Sequence, residues 1–161
     1  MKTFESMNEF CAYASVIAKR YKFFISKYNE DYSVDINGFV NLFNKDLTEF
    51  PIRFNNIVGG SFDCSRNKLT SLEGAPKYIE GDFWCNENQL ISLLDAPKYI
   101  GGNFYCHHYI NVFKDSKNNY NTLVSLKGAP EVIKGHWFIL DKYNSYPEYL
   151  KYLLVKKIEA L

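Results

Sequence analysis

The chain has almost no excess of charge: 19 Lys and Arg stand against 18 Asp and Glu, a formal net charge of +1. A surface so balanced exerts no general pull on nucleic acid or on an anionic membrane. No run of about 18 apolar residues occurs, so no segment is expected to span a bilayer. The first residues lack a basic stretch followed by a clean apolar run, which predicts no signal peptide. The expectation is a soluble, cytoplasmic protein that contacts neither nucleic acid nor membrane. Histidine is scarce, with three in 161 residues, and the sequence has no glycine-rich phosphate loop, no G-x-S-x-G and no H-E-x-x-H. Without evident carboxylate partners, His107, His108 and His136 make no acid–base site. No catalytic activity and no cofactor are therefore expected. The four cysteines include no C-x-x-C pair of the kind structural zinc sites use, so no metal is expected either.

What the chain has in plenty is aromatic rings, 13 Tyr and 13 Phe, and a repeat. The stretch Gly60-Ser-Phe-Asp-Cys-Ser-Arg-Asn-Lys-Leu-Thr-Ser-Leu-Glu-Gly-Ala-Pro-Lys-Tyr-Ile79 returns from Gly81 with Phe83, Cys85, Asn88, Leu90, Leu93, Ala96, Pro97 and Ile100 in register. Cys64, Cys85 and Cys106 are 21 residues apart. Self-similarity at one such period is the mark of a stacked solenoid, and 21 falls in the leucine-rich range. Gly38 to Leu47, within the run from Ile36, matches Gly60 to Leu69 at an offset of 22, because one extra residue lies between Leu47 and Gly60. After Cys106 about 12 residues are inserted, roughly 108–119, before Asn121-Thr-Leu123 restores the Asn-x-Leu spacing.

The expected fold is an α+β solenoid, leucine-rich-repeat-like: a single curved parallel β-sheet of about five strands, built from repeats of 21–22 residues and capped by helices at both ends. Residues 1–33 form the N-terminal helical cap, one helix or two with a bend at Arg20 to Lys22, since Phe4, Met7, Phe10, Ala14, Ile17, Ala18, Tyr21, Phe24 and Tyr28 recur at helical spacing. A solenoid's open ends need such covers. Residues 34–141 form the solenoid with its loop insertion, and 142–161 the C-terminal helical cap. There Ser145-Tyr-Pro-Glu148 has capping-box spacing ahead of a leucine stripe.

Side chains alternate along a strand. Phe62 with Cys64, Phe83 with Cys85, and Phe104 with Cys106 are therefore expected inside, backed by Leu69, Leu72, Leu90, Leu93, Leu123 and Leu126. Three cysteines a full turn apart suit a core column of small apolar side chains. Asn67, Asn88 and Asn121 are expected to stack as a buried ladder that satisfies backbone groups. Gly74, Asp95 and Gly128 share a position suited to left-handed backbone.

The residues between the core positions face outward in columns. The first column reads Phe39, Ser61, Asp82, Asn103, His136; the second, Asn41, Asp63, Trp84, Tyr105, Phe138; the third, Phe43, Ser65, Asn86, His107, Leu140. Trp84, Tyr105 and Phe138 on adjacent strands resemble the aromatic core of an interface. The insertion supplies further candidates, because insertions in repeats map to loops on one face. The candidate binding residues are Asp82, Trp84, Asn103, Tyr105, His107, Tyr109, Phe113, His136 and Phe138.

The run Val34-Asp-Ile-Asn-Gly-Phe-Val-Asn-Leu, with Leu47-Thr-Glu-Phe-Pro and Gly59-Gly-Ser-Phe-Asp-Cys-Ser-Arg-Asn-Lys-Leu-Thr-Ser-Leu-Glu-Gly-Ala-Pro, resembles the leucine-rich-repeat-like solenoid proteins of tailed bacteriophages. The likeness covers about residues 34–140. It implies a phage or prophage origin and a small solenoid, and it transfers no functional residues. On that footing the expected function is a non-catalytic protein-binding module that binds or inhibits a host bacterial protein, with a defence enzyme as the target the resemblance suggests. The alternatives are a small-ligand or nucleotide-signal binder and a structural protein of assembling particles. Oligomeric state is left open between monomer and small homo-oligomer.

Overall fold

Each repeat makes two short strands, not one. The structure, a computed structural model, describes residues 2–106 and 127–138. The expected insertion at 108–119 and the C-terminal cap at 142–161 lie outside the described residues. The elements in chain order are α1 (Met7–Tyr21), β1 (Ile25–Tyr28), β2 (Ser33–Asn37), β3 (Val40–Asn41), β4 (Arg53–Val58), β5 (Phe62–Asp63), β6 (Tyr78–Ile79), β7 (Phe83–Trp84), β8 (Tyr99–Ile100), β9 (Phe104–Tyr105), β10 (Val132–Ile133) and β11 (Trp137–Phe138). They form a β-solenoid with two sheets, ordered β1-β2-β4-β6-β8-β10 and β11-β9-β7-β5-β3. Every pairing is parallel except the antiparallel pairing of β1 with β2.

This corrects the expected single sheet. The segment after each Ala-Pro pair is hydrogen-bonded to the turn before it: Lys77 N donates to Asn55 O at 2.7 Å and Lys98 N to Lys77 O at 2.8 Å. Proline removes one donor only, and the chain rejoins a ladder at the next residue. A second side of each turn thus carries Tyr78-Ile79, Tyr99-Ile100 and Val132-Ile133 in register. The leucines occupy the irregular third leg.

The core follows the alternation. Phe62, Cys64, Phe83, Cys85, Phe104 and Cys106 are fully buried, as are Val40, Leu42, Leu69, Leu72, Leu90 and Leu93. From the other sheet Ile36, Ile57, Ile79 and Ile100 meet them with no exposure. Ile139, Leu123 and Leu126 lie outside the described residues. Burying one such aliphatic or aromatic side chain is worth about 1.5–3 kcal/mol.

A corner of glycines joins the two sheets. Gly81 N donates to Gly60 O at 2.8 Å, Gly102 N to Gly81 O at 2.9 Å, and Gly135 N to Gly102 O at 2.9 Å. A Cβ on Gly81 would fall 2.6 Å from Gly60 O and onto Ser61 Oγ, so successive corners stack at a distance only glycine permits. The matched positions Gly74, Asp95 and Gly128 have φ of 91°, 65° and 84°, the left-handed geometry expected of them.

The offset of 22 in the first repeat is a β-bulge. Val34 pairs with Phe54 and Ile36 with Ile57, so Asn55 and Asn56 together oppose Asp35. Both amides turn to its carboxylate: Asn55 Nδ2 and Asn56 Nδ2 donate to Asp35 Oδ1 at 2.8 and 3.2 Å.

The N-terminal cap is shorter in helix than expected. Ser6 caps α1, its Oγ accepting from Glu9 N at 3.3 Å, a contact worth about 1 kcal/mol. Lys22 ends it in the left-handed conformation at φ 59°. The following Phe23-Phe24-Ile25 favours extended backbone, and β1 pairs with β2 instead of continuing the helix. The buried face of α1, Phe10, Ala14, Ile17 and Ala18, packs on that hairpin, with the Phe10 ring 6.1 Å from Tyr28 and 5.6 Å from Tyr32.

Candidate functional site

The parallel register of β5, β7, β9 and β11 sets Asp63, Trp84, Tyr105 and Phe138 side by side. An in-register parallel ladder repeats each side chain at roughly 4.8 Å, which is the spacing at which flat rings stack. The Trp84 and Tyr105 centroids are 5.6 Å apart with 8° between planes, and Tyr105 and Phe138 are 4.8 Å apart at 3°. Phe39 closes the column at its other end, meeting Trp84 edge to face at 6.4 Å and 89°. Trp84 and Tyr105 are half-buried, whereas Phe138 keeps 40% of its surface and Phe39 50%.

The first column serves the solenoid as well as its surface. Ser61 Oγ accepts from Asp82 N at 2.9 Å, Asp82 Oδ1 from Asn103 N at 2.6 Å, and Asn103 Oδ1 from His136 N at 2.7 Å. Each side chain thus reaches the amide of the next turn. Asp82 and Asn103 are bound up in this ladder beside the aromatic strip, and His136 ends it, exposed, with its ring 6.1 Å from that of Phe138. The structure therefore brings Trp84, Tyr105, Phe138 and His136 together on one face, with Asp82 and Asn103 alongside. His107, Tyr109 and Phe113 lie outside the described residues.

The third column departs from the expected outward course: Ser65 and Asn86 are buried. Arg66 and Glu87 just after them take left-handed φ of 55° and 53°, which turns the chain inward. Ser65 Oγ donates to Asp63 Oδ1 at 2.6 Å, and Ser65 N donates to the same oxygen at 2.9 Å, so the second column's carboxylate closes a local turn.

Burial pushes the Cys64 and Cys85 thiols up, with Asp63 adding to the effect at Cys64 and Cys106 adding to it at Cys85. Neutral thiols in a dry column are poor nucleophiles and poor ligands. Among the described residues no group of three or more His, Cys, Asp or Glu is placed to hold a metal ion. Among the same residues, no helix is long and apolar enough to cross a membrane.

Sequence reasoning found the strip but missed Phe39 as its end ring. Phe39 sits in the first column, and only the tilt of its ring brings it onto Trp84. Comparison of the chain with family models, with curated proteins and with solved structures finds no match in any of the three.

Proposed function

We propose that the protein is a non-catalytic protein-binding module whose contact surface is centred on Trp84, Tyr105 and Phe138. The observation that carries this reading is the near-coplanar stack of the three rings. Rings stacked on each other offer their edges outward, as a rigid apolar ridge with little side-chain entropy left to lose. Such aromatic anchors dominate protein interfaces, each worth about 2 kcal/mol or more when truncated. A planar base would need an open ring face, and within the stack those faces are used by neighbouring rings. The geometry accordingly favours a protein over a nucleotide signal.

The finer identity follows the repeat. Read as a leucine-rich-repeat-like unit of phage type, it makes the partner a host bacterial protein, met in the cytoplasm, and the outcome its inhibition. That reading rests on resemblance and on the ridge, since folds carry many functions.

The test is affinity capture from bacterial lysate with the parent and with a Trp84→Ala, Tyr105→Ala double variant. Capture of one defined protein by the parent and its loss in the variant, with the cooperative melting transition kept, is the expected result. Undiminished capture by the variant overturns the site. Native mass spectrometry of the same eluate decides between readings, because a small added mass would favour the ligand-binding alternative.

A further inference from the structure

We propose that the outer edge of β3 is a docking site where an extended acidic segment of a partner protein joins the five-stranded sheet as an added strand. The inference takes from the preceding reading only that the partner is a protein.

Among the described residues β3 is the last strand of its sheet, with a neighbour on one side only. Its hydrogen bonds alternate. Gly38 N, Val40 N, Leu42 N and Asn44 N donate to Val58 O, Ser61 O, Asp63 O and Ser65 O at 2.8, 3.0, 2.7 and 3.1 Å. The intervening residues Phe39, Asn41 and Phe43 turn their backbone groups the other way. Among the described residues none of their carbonyls accepts a bond, and Phe43 N alone is engaged, by Asn41 Oδ1 at 3.0 Å. The sheet thus ends in an extended edge with the donor and acceptor spacing of an unfilled ladder, which is a template for strand addition.

The opposite sheet shows what covering an end looks like: there β1 adds antiparallel to β2 and α1 packs behind it. Nothing among the described residues does this for β3. Its outward residue Asn41 is exposed between two exposed apolar rings, Phe39 at 50% and Phe43 at 38%, and Phe24 near the preceding corner is at 71%. Phe24 O accepts from Asn37 N at 3.4 Å, which places it beside the last residue of β2, at the corner that leads into β3. Through Phe39 and Trp84 the edge continues into the stacked ridge, so an added strand would extend the same face.

Charge selects the occupant. Lys19, Arg20 and Lys22 close α1 just before Phe24, and Lys45 follows β3 at its far end. All four are exposed, and no carboxylate pairs with any of them among the described residues. The neighbouring Asp46 is taken by Lys68 Nζ at 2.9 Å. The edge is flanked along the chain by cations, Lys22 before it and Lys45 after it, which favours a strand bearing carboxylates at its ends. It disfavours a second copy, because antiparallel pairing of two β3 edges would bring Lys45 of each against the cationic helix end of the other.

The experiment is amide hydrogen exchange by NMR on the full chain, with two capped synthetic peptides, one alternating glutamate with valine and one lysine with valine. The glutamate peptide is expected to slow exchange at Phe39 and Asn41 roughly tenfold. The lysine peptide is expected to leave them unchanged, and Lys45→Glu with Lys19→Glu to remove the effect. No slowing by the glutamate peptide, or equal slowing by both peptides, overturns the proposal. Slowing without peptide that grows with protein concentration also overturns it, in favour of a second copy. Trp84→Ala is expected to leave the peptide effect in place, so a failure of the ridge as the capture site and a failure of the edge are read separately.

Discussion

Asn88 ties its own turn to the one before it: its Oδ1 accepts the backbone amide of Leu69 at 3.1 Å. Its Nδ2 donates back to Cys64 O at 3.0 Å and to Cys85 O at 3.1 Å. Asn67 does the same one turn earlier, accepting from Lys45 N and Leu47 N at 2.9 and 3.0 Å and donating to Leu42 O at 2.8 Å. Both side chains have no exposure. An amide supplies donors and an acceptor together, which is what a bend between strand and irregular leg requires.

Asn88→Ala is therefore expected to lower unfolding stability by about 1–3 kcal/mol, the penalty for stranding buried polar groups. Urea denaturation of the parent and the variant measures it. A midpoint equal to the parent's would mean that water replaces the amide without loss.

The ladder was legible because Asn recurs at a fixed place, and the same holds for the Phe-x-Cys strands. The second sheet was harder to read. Tyr78-Ile79 and Tyr99-Ile100 recur as faithfully, but two residues after a proline carry too little alternation to announce a strand. The helix breaks at Lys22, inside the bend expected at Arg20 to Lys22, but the hairpin after it was hidden because Phe24 and Tyr28 fit helical spacing as well as they fit strands. The offset of 22 gave away an extra residue without saying that Asn55 and Asn56 would share Asp35. For the site, alternation placed Trp84, Tyr105 and Phe138 on one face. It gave no sign that Asp82 and Asn103 would reach the amide of the next turn, since that depends on rotamers and on the glycine corner.

The corner itself is open to test. A Cβ on Gly102 would lie 2.8 Å from Gly81 C and 2.9 Å from Asp82 N, and would also strike Asp82 Oδ1. Gly102→Ala is expected to destabilise by about 1–3 kcal/mol, the range of overpacked sites. Because two of the three obstructing atoms are backbone, adding Asp82→Ala is expected to leave most of that loss in place. Full recovery in the double variant, followed by thermal melting, would trace the clash to the side chain alone.

The cysteine column gives a chemical readout of the same stack. Cys64, Cys85 and Cys106 are buried, while Cys11 on α1 is partly exposed. Burial raises the Cys64 and Cys85 thiols, and only the thiolate attacks an alkylating agent. Even with some thiolate formed, reagent reaches these sulfurs only when neighbouring turns open, and such opening is rare in a packed core. A short iodoacetamide pulse on the native protein at neutral pH is thus expected to label Cys11 and to spare the other three. The same pulse in concentrated urea should label all four, as peptide mass spectrometry would record. Gly102→Ala, by loosening the corner between the Cys85 and Cys106 turns, is expected to speed labelling of those two before that of Cys64. Native labelling of Cys85 at the rate of Cys11 would show that the column is not a closed core.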